Sequence, residues 1–379
     1  ISELGGAEKK KETLLGLVRS VYSLREYFGK VYVNIGEPIR LDDILDACEP
    51  QWREKGTGEE RPAWIGKVVD DLGTRIMGGI NAAAAVTPIS LLAYALLDMP
   101  KQSMGELELK AQIALSIRLL KAFSYSDYVT VPDLGSEEII DHGEKLGVIR
   151  RTAHPLGDDI SMSEHDAVLM TYFRNNIQHL FAVPASIACC FIQGRRLEHG
   201  ELQRLIRMIY PFMRVELQIK WNDDEIDDIT TKAIEALIDQ GILARDDDML
   251  VRPSVGSAPA FQLLMLGQSM VPMLQRFYLV IALLVRNGSG TLSGAKLEGL
   301  CQKSAQQLAM IYGLHSPDFF DKSLFQDFIR TLREREVLRS NEAGFLEFDN
   351  GINRIGEDAR LVLGEEIRHS ILSLMFSGS

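Results

Sequence analysis

Val168-Leu169-Met170-Thr171-Tyr172-Phe173-Arg174-Asn175-Asn176-Ile177-Gln178-His179 runs directly into the apolar stretch Leu180 to Ile192, which contains Pro184. The spacing predicts one long helix from Glu164 through Thr171 to Gln193. On it Tyr172, Asn175, Asn176 and His179 share a face, at i, i+3, i+4 and i+7. The turns that follow are apolar on every side, so the helix is expected to enter a core. A bilayer-spanning helix needs roughly 18 or more apolar residues. This run and the next longest, Phe277 to Val285, fall short of that and read as buried core helices. A polar group carried into such a core costs about 1–3 kcal/mol unless it finds a partner. The polar face is therefore expected to be a satisfied network that locks helices together. The competing reading is a pocket that positions a ligand or braces another domain.

Outward from this helix, helical spacing dominates. It covers Ile65 to Ala85, Pro88 to Leu97, Gly105 to Phe123, Gly200 to Met213, Asp227 to Gln240, Phe261 to Val285, Gly294 to Tyr312 and Phe319 to Glu336. Pro88, Pro184, Pro211 and Pro272 should start or kink their helices. One pattern recurs three times: a helix ends, a short turn follows, and an apolar pair with a basic residue leads into a hairpin. The copies are Glu144 to Arg150, Ile238 to Arg245 returning at Met249-Leu250-Val251, and Glu334 to Arg339 returning at Phe345 to Phe348. Helix, turn and hairpin is the layout of a winged helix. The fold class expected is mainly α with small β-hairpins in winged-helix-like units.

The first 48 residues differ. Residues 8 to 28 read as an amphipathic helix, Lys30 to Ile35 as a strand stopped by Gly36-Glu37-Pro38, and Asp42-Asp43 as the start of a short helix. Residues 50 to 62, with Gly56-Thr57-Gly58 and Pro62, mark the clearest break in composition, and a domain boundary is expected there. The domains expected are 1–48 and 49–379.

The chain has 379 residues and a net charge of −12, with 46% apolar and 25% charged residues. That composition belongs to a packed globular protein and excludes disordered or collagen-like chains. Acidity argues against nucleic-acid binding, as do the wing tips Asp246-Asp247-Asp248 and Asn341-Glu342, which would repel phosphate. Cys48, Cys189, Cys190 and Cys301 include no CxxC and read as reduced thiols. The first residue is Ile1, and the expectation is that the chain is the back part of a longer protein.

Several segments together resemble a known family. Phe28 to Ile39, ending in Gly36-Glu37-Pro38-Ile39, is similar to the closing strand of the glycerolipid acyltransferase domain. Arg61-Pro62-Ala63-Trp64-Ile65, the run Val168 to His179, Tyr210-Pro211 with Glu216-Leu217, and Ser316 to Lys322 resemble the C-terminal half of bacterial glycerol-3-phosphate 1-O-acyltransferases. The resemblance implies that residues 1–48 hold the last helix and strand of an α/β acyltransferase domain. It implies acyl transfer from acyl carrier protein or coenzyme A to the sn-1 hydroxyl of glycerol 3-phosphate in phospholipid synthesis. It implies no cofactor and no metal, and base-assisted attack on a thioester. The partners implied are the N-terminal catalytic part of the same enzyme, the acyl carrier protein or coenzyme A thioester, and peripheral contact with anionic membrane. The place implied is the cytoplasmic face of the bacterial inner membrane.

The family's catalytic blocks are expected upstream of this chain, so the chain alone is expected to be inactive and to brace the catalytic domain. One formal match to the family's His-x-x-x-x-Asp block exists, His154 to Asp159, but Pro155 and Gly157 mark it as a turn. The candidate binding residues are Arg174, Asn175, Asn176 and His179, with no catalytic residue in the chain. Arg195, Arg196, Arg204 and Arg207 form a basic cluster that either meets anionic partners or pairs with Glu198 and Glu201. Asp223, Asp224, Glu225, Asp227 and Asp228 read as an acidic helix start. The alternative function is a helical adaptor that docks proteins through its winged-helix-like units.

Overall fold

The computed structural model describes residues 29–55, 62–194, 196–312 and 317–377. Helices account for 65% of the chain and the sheets are small and antiparallel, as expected. The helix expected over residues 8 to 28, and residues 56–61 of the break expected over 50 to 62, lie outside the described residues.

Three short helices open the described chain: α1 (Leu41–Cys48), α2 (Trp52–Lys55) and the longer α3 (Ala63–Ala82). Next comes α4 (Pro88–Leu96), which is wholly buried. Its start is fixed by a capping box in which Thr87 and Ser90 exchange side-chain and backbone bonds, with Pro88 in the first turn.

The first unit is β1 (Ser103–Gly105), α5 (Glu106–Ala122), α6 (Ser136–Lys145), β2 (Arg150–Thr152) and β3 (Asp159–Ser161). Its sheet has the order β1-β3-β2, with Met104 and Arg151 both opposite Ile160. The long helix α7 (Glu164–Gln193) follows, unbroken as expected, with Ser163 accepting a bond from the Asp166 amide at its start. The second unit is β4 (Arg196–Glu198), α8 (His199–Leu217), α9 (Ile226–Asp239), β5 (Ala244–Asp246) and β6 (Met249–Val251). Its order is β4-β6-β5, with Leu197 and Arg245 opposite Leu250.

Between the second and third units lie α10 (Ala258–Gln268) and α11 (Val271–Asn287). The third unit is α12 (Gly294–Tyr312), a short 3-10 turn at Pro317–Phe320, α13 (Lys322–Glu334), β7 (Arg339–Ser340) and β8 (Leu346–Glu347). Here a single antiparallel bridge, Ser293 to Phe345, stands where the other units have their first strand. Two helices, α14 (Gly351–Val362) and α15 (Glu365–Ser377), end the chain. The sequence pattern picked out only helix and hairpin. In all three units a leading segment also returns to pair beside the hairpin. The residue at the centre of each hairpin's inner strand, Ile160, Leu250 and Leu346, is buried.

Two expectations are corrected. The single helix expected over Phe261 to Val285 is two helices, α10 and α11, bent by 49°. Pro272 has no amide hydrogen, and its ring would clash with the carbonyl four residues back, so α11 begins around it. Pro184 and Pro211 by contrast lie inside α7 and α8. The second correction concerns Lys30 to Ile35, which forms no strand among the described residues. Its Asn34 amide instead donates to the carbonyls of Ala84 and Tyr128 and to the Thr130 hydroxyl, at 2.9–3.3 Å. An extended segment with no partner strand has no ladder to join.

Helix α7 is the axis of the molecule. Helices α3, α4, α8, α9, α10 and α14 all pack against it. Gly267 lets α10 approach closely: a methyl group there would sit 2.9–3.0 Å from the backbone of Ala188 and Cys189. One continuous apolar core runs from Val86 to Ile371. No single helix among the described residues is long and apolar enough to cross a membrane.

Candidate functional site

The stripe of α7 that turns inward is Ala167, Met170, Thr171, Arg174 and Ile177, joined by His179 as the helix enters the core. Tyr172, Asn175 and Asn176 are exposed. The four-residue polar face expected from the spacing is thus divided. Arg174 and His179 are buried, at 5% and 3% exposure, and both asparagines are exposed, with Asn175 Oδ1 accepting from Arg174 at 3.2–3.3 Å. Arg174 is buried because it falls on the apolar stripe, three residues after Thr171 and three before Ile177.

Arg174 and His179 border a polar cavity of about 260 Å³ between α3, α7, α8 and α11. His179 Nε2 lies 2.9 Å from the carbonyl oxygen of Asn81. A carbonyl only accepts, so Nε2 carries the proton. The Asn81 side chain donates in turn to the carbonyls of Leu217 and Gln218 at 2.8 and 3.0 Å. Gln218 sits in the left-handed region at the end of α8, so Asn81 satisfies carbonyls that a helix end leaves open. The His179 ring meets the Tyr125 ring edge-on at 5.1 Å. Burial holds the imidazole down to a pKa of about 4, against the opposing bond to Asn81.

Two buried ion pairs flank the imidazole. Arg174 Nη1 lies 3.4 Å from Asp98 Oδ1. Burial raises the Asp98 pKa, and Arg174 opposes that rise. Across the cavity Arg276 is bonded to Glu216, both well buried. Arg276 Nε and Asp98 Oδ2 have no hydrogen-bond partner among the described residues. Tyr94 and Ser269 close the side nearest α10, their hydroxyls 2.9 Å apart.

The cavity's two arginines are each paired, Asp321 at its edge caps the start of α13, and its one imidazole is neutral with its proton engaged. Such an arrangement positions and braces; it offers no base poised to take a proton near neutral pH. Asn81, Asp98 and Arg276 escaped the reading of the sequence. Arg276 left a signal, as the one charge inside Phe261 to Val285. Asn81 and Asp98 left none, since each acts through contacts with distant segments.

The remaining candidates separate. His154 to Asp159 is a turn: His154 Nδ1 accepts from the Leu156 amide at 3.2 Å, and Gly157 has a φ of 121°. Arg196 pairs with Asp246, Arg204 with Glu201 and Asp358, and Arg207 with Asp227. Arg195 lies outside the described residues. The basic cluster is therefore largely self-neutralised, with Glu201 as expected but Asp246, Asp227 and Asp358 in place of Glu198. Asp223 pairs with Arg214 and Arg335, tying the acidic start of α9 to α8 and to the end of α13. Cys189, Cys190 and Cys301 are free and buried, with thiol pKa values pushed up by burial. Among the described residues no three His, Cys, Asp or Glu side chains converge to hold a metal.

Comparison with known proteins places this architecture. Residues 1–341 match the family described as the glycerol-3-phosphate acyltransferase C-terminal region. A protein of Xanthomonas campestris pv. campestris named glycerol-3-phosphate acyltransferase is 42% identical over 377 residues, 98% of this chain and 43% of the relative. Relatives of the same name from Xylella fastidiosa strain M12 and Pseudomonas aeruginosa strain UCBPP-PA14 are 40% and 39% identical, each over 98% of this chain. The chain spans 43–45% of the length of these relatives. With a match over most of its length, the chain belongs to the glycerol-3-phosphate acyltransferase C-terminal region family.

Proposed function

We propose that this chain is the C-terminal region of an enzyme that moves an acyl group from an acyl carrier protein or coenzyme A thioester to the sn-1 hydroxyl of glycerol 3-phosphate. In this reading the catalytic base lies in the preceding part of the polypeptide, and this region braces the domain that carries it. The observation that carries the bracing role is the segment Val31 to Ile35. Val31, Val33 and Ile35 are 90%, 80% and 85% exposed. They alternate along an extended segment and so share one side of it. Asn34 and Gly36 hold the other side to the body, through the bonds of Asn34 and the close approach of Gly36 to Ala83. Three exposed aliphatic side chains on one side of an extended segment suit an edge that another strand covers.

The polar cavity contributes by fixing α3, α7, α8 and α11 relative to one another, which sets the position of that edge. The three strand–helix–helix–hairpin units are read as winged-helix-like modules used for packing and docking. The whole enzyme is placed at the cytoplasmic face of the inner membrane, with peripheral contact and no metal or cofactor.

The test is acyl transfer to glycerol 3-phosphate by three preparations: this chain, the preceding part of the polypeptide, and the two joined. Activity is expected only from the joined protein, and Val33→Asp should weaken association of the two parts expressed separately. Full activity of the preceding part alone would remove the bracing role. Activity of this chain alone, lost on His154→Ala, would overturn the placement of the base.

A further inference from the structure

Helix α3 is long for the packing it receives. Among its 20 residues are four glycines, each of which weakens a helix relative to alanine. Of its described side chains only Val68 is fully buried. A helix of this kind draws its stability from packing and not from propensity. Its neighbours are α1 along one side and, around Met77 and Asn81, α7 and the polar cavity on another. Two sides stay open. One is polar, with Lys67 and Thr74 exposed. The other carries Val69, Ile76 and Ile80, which are 50%, 43% and 59% exposed. With Gly66 and Gly73 these residues fall at steps of three, four, three and four, the spacing of a seam between two helices. A methyl group placed on Gly66 or Gly73 would meet nothing within 4 Å among the described residues, so the main chain is open to close approach there.

The stripe is continuous with the edge Val31 to Ile35. That segment crosses the end of α3 at Gly36, where a methyl group would lie 3.2 Å from the Ala83 side chain and 3.4 Å from the Gly79 carbonyl oxygen. Ile35 precedes Gly36 and Ile80 follows Gly79 in the sequence, and both are exposed. A partner that covers the edge therefore lies alongside the stripe as well. The chain spans 43–45% of the length of its relatives, which leaves ample further chain for a helix as long as Gly66 to Ile80. We infer that this stripe seats a helix of the preceding part of the polypeptide, packed lengthwise over Val69, Ile76 and Ile80 and closest to α3 at Gly66 and Gly73. The inference rests on the bracing role proposed above and goes further in naming a helix-to-helix contact beside the strand edge. Exposed apolar surface of this kind marks interaction sites.

The test is maleimide labelling, read by peptide mass spectrometry, of the single variants Val69→Cys, Ile76→Cys, Val33→Cys and Thr74→Cys, in the full polypeptide and in this chain alone. Thr74 lies about 130° around the helix from the stripe, at roughly 100° per residue, and serves as the exposed reference. In the full polypeptide positions 69 and 76 are expected to label at least about tenfold more slowly than position 74, because a packed contact must open before the thiol reacts. In this chain alone all four positions should label at rates within about threefold of one another. Adding Gly73→Leu to Val69→Cys in the full polypeptide should restore fast labelling, since the larger side chain fills the close approach. Slow labelling at position 33 with fast labelling at 69 and 76 overturns the seam and leaves the bracing role standing. Fast labelling at all three in the full polypeptide overturns both. Slow labelling at 69 and 76 in this chain alone puts a segment of this chain or a second copy on the stripe, and overturns the assignment to the preceding part.

Discussion

His179 carries its proton on Nε2, gives it to the Asn81 carbonyl, and has its imidazole held at a pKa of about 4. The ordinary value is 6.5, so the folded protein binds this proton less readily than the unfolded chain. Stability from this residue is fully present above pH 6.5 and falls away as the pH drops towards 4. The shift corresponds to an order of 3 kcal/mol at 1.36 kcal/mol per pH unit. Asp98, its pKa raised by burial, acts in the opposite direction. In His179→Gln the side chain still has a donor for the Asn81 carbonyl but no titrating group. Its denaturation midpoint is expected to change much less between pH 6.5 and pH 4 than that of the parent. Equal slopes would show that His179 is hydrated and not held as described. The sequence displayed this residue, since a histidine at the entrance to Leu180–Ile192 stands out. It did not display Asn81, ninety-eight residues away in the chain. A hydrogen bond between distant segments leaves no local period. Arg174 was legible as a residue, but its partner Asp98, in the turn after α4, was not.

At the scale of elements, the three helix-to-hairpin turns are closed in the same way. Val148 donates to Gly143, Ile242 to Leu237 and Val337 to Leu332, each the six-to-one bond of a Schellman turn. The residue before each donor is left-handed: Gly147 at φ 70°, Gly241 at φ 68° and Glu336 at φ 58°. The repeat is legible in all three copies through the apolar pair and basic residue after the turn, and two of them also carry the glycine that the turn favours. The leading partner of each hairpin was not legible, because a three-residue strand is too short to show alternation. Glu336 bears a cost of about 1–2 kcal/mol that glycine avoids. Its ion pair with Arg339, 3.7 Å apart and largely exposed, offsets little of that. Glu336→Gly is therefore expected to raise the thermal midpoint by roughly 1–3 °C. A lowered midpoint would mean that the pair with Arg339 outweighs the backbone.

For the molecule as a whole, the question is whether three similar units fold as three bodies or as one. Separate bodies would each close over their own core. Here the apolar core is continuous, and α7 touches helices before, within and after the second unit. Phe181 lies near the middle of α7, fully buried, with its ring stacked on that of Tyr94 in α4 at 4.2 Å. Phe181→Ala should cost about 3–5 kcal/mol through lost burial and the cavity left behind. If α7 couples the units, that loss reaches residues that Phe181 does not touch. Two reporters separate the possibilities. With Trp52 and Trp64 replaced by Phe in parent and variant alike, tryptophan fluorescence follows Trp221, just past α8 of the second unit, where its ring meets Phe123 and Tyr125. Thiol labelling of Cys301, read by mass spectrometry, follows α12 in the third unit, where that side chain is fully buried. In a urea titration the two reporters should change together in the parent, and Phe181→Ala should move both to lower urea by the same amount. A shift of the tryptophan signal with Cys301 protection unmoved would show that the third unit folds independently. In that case the core, though continuous in space, would not be continuous in energy.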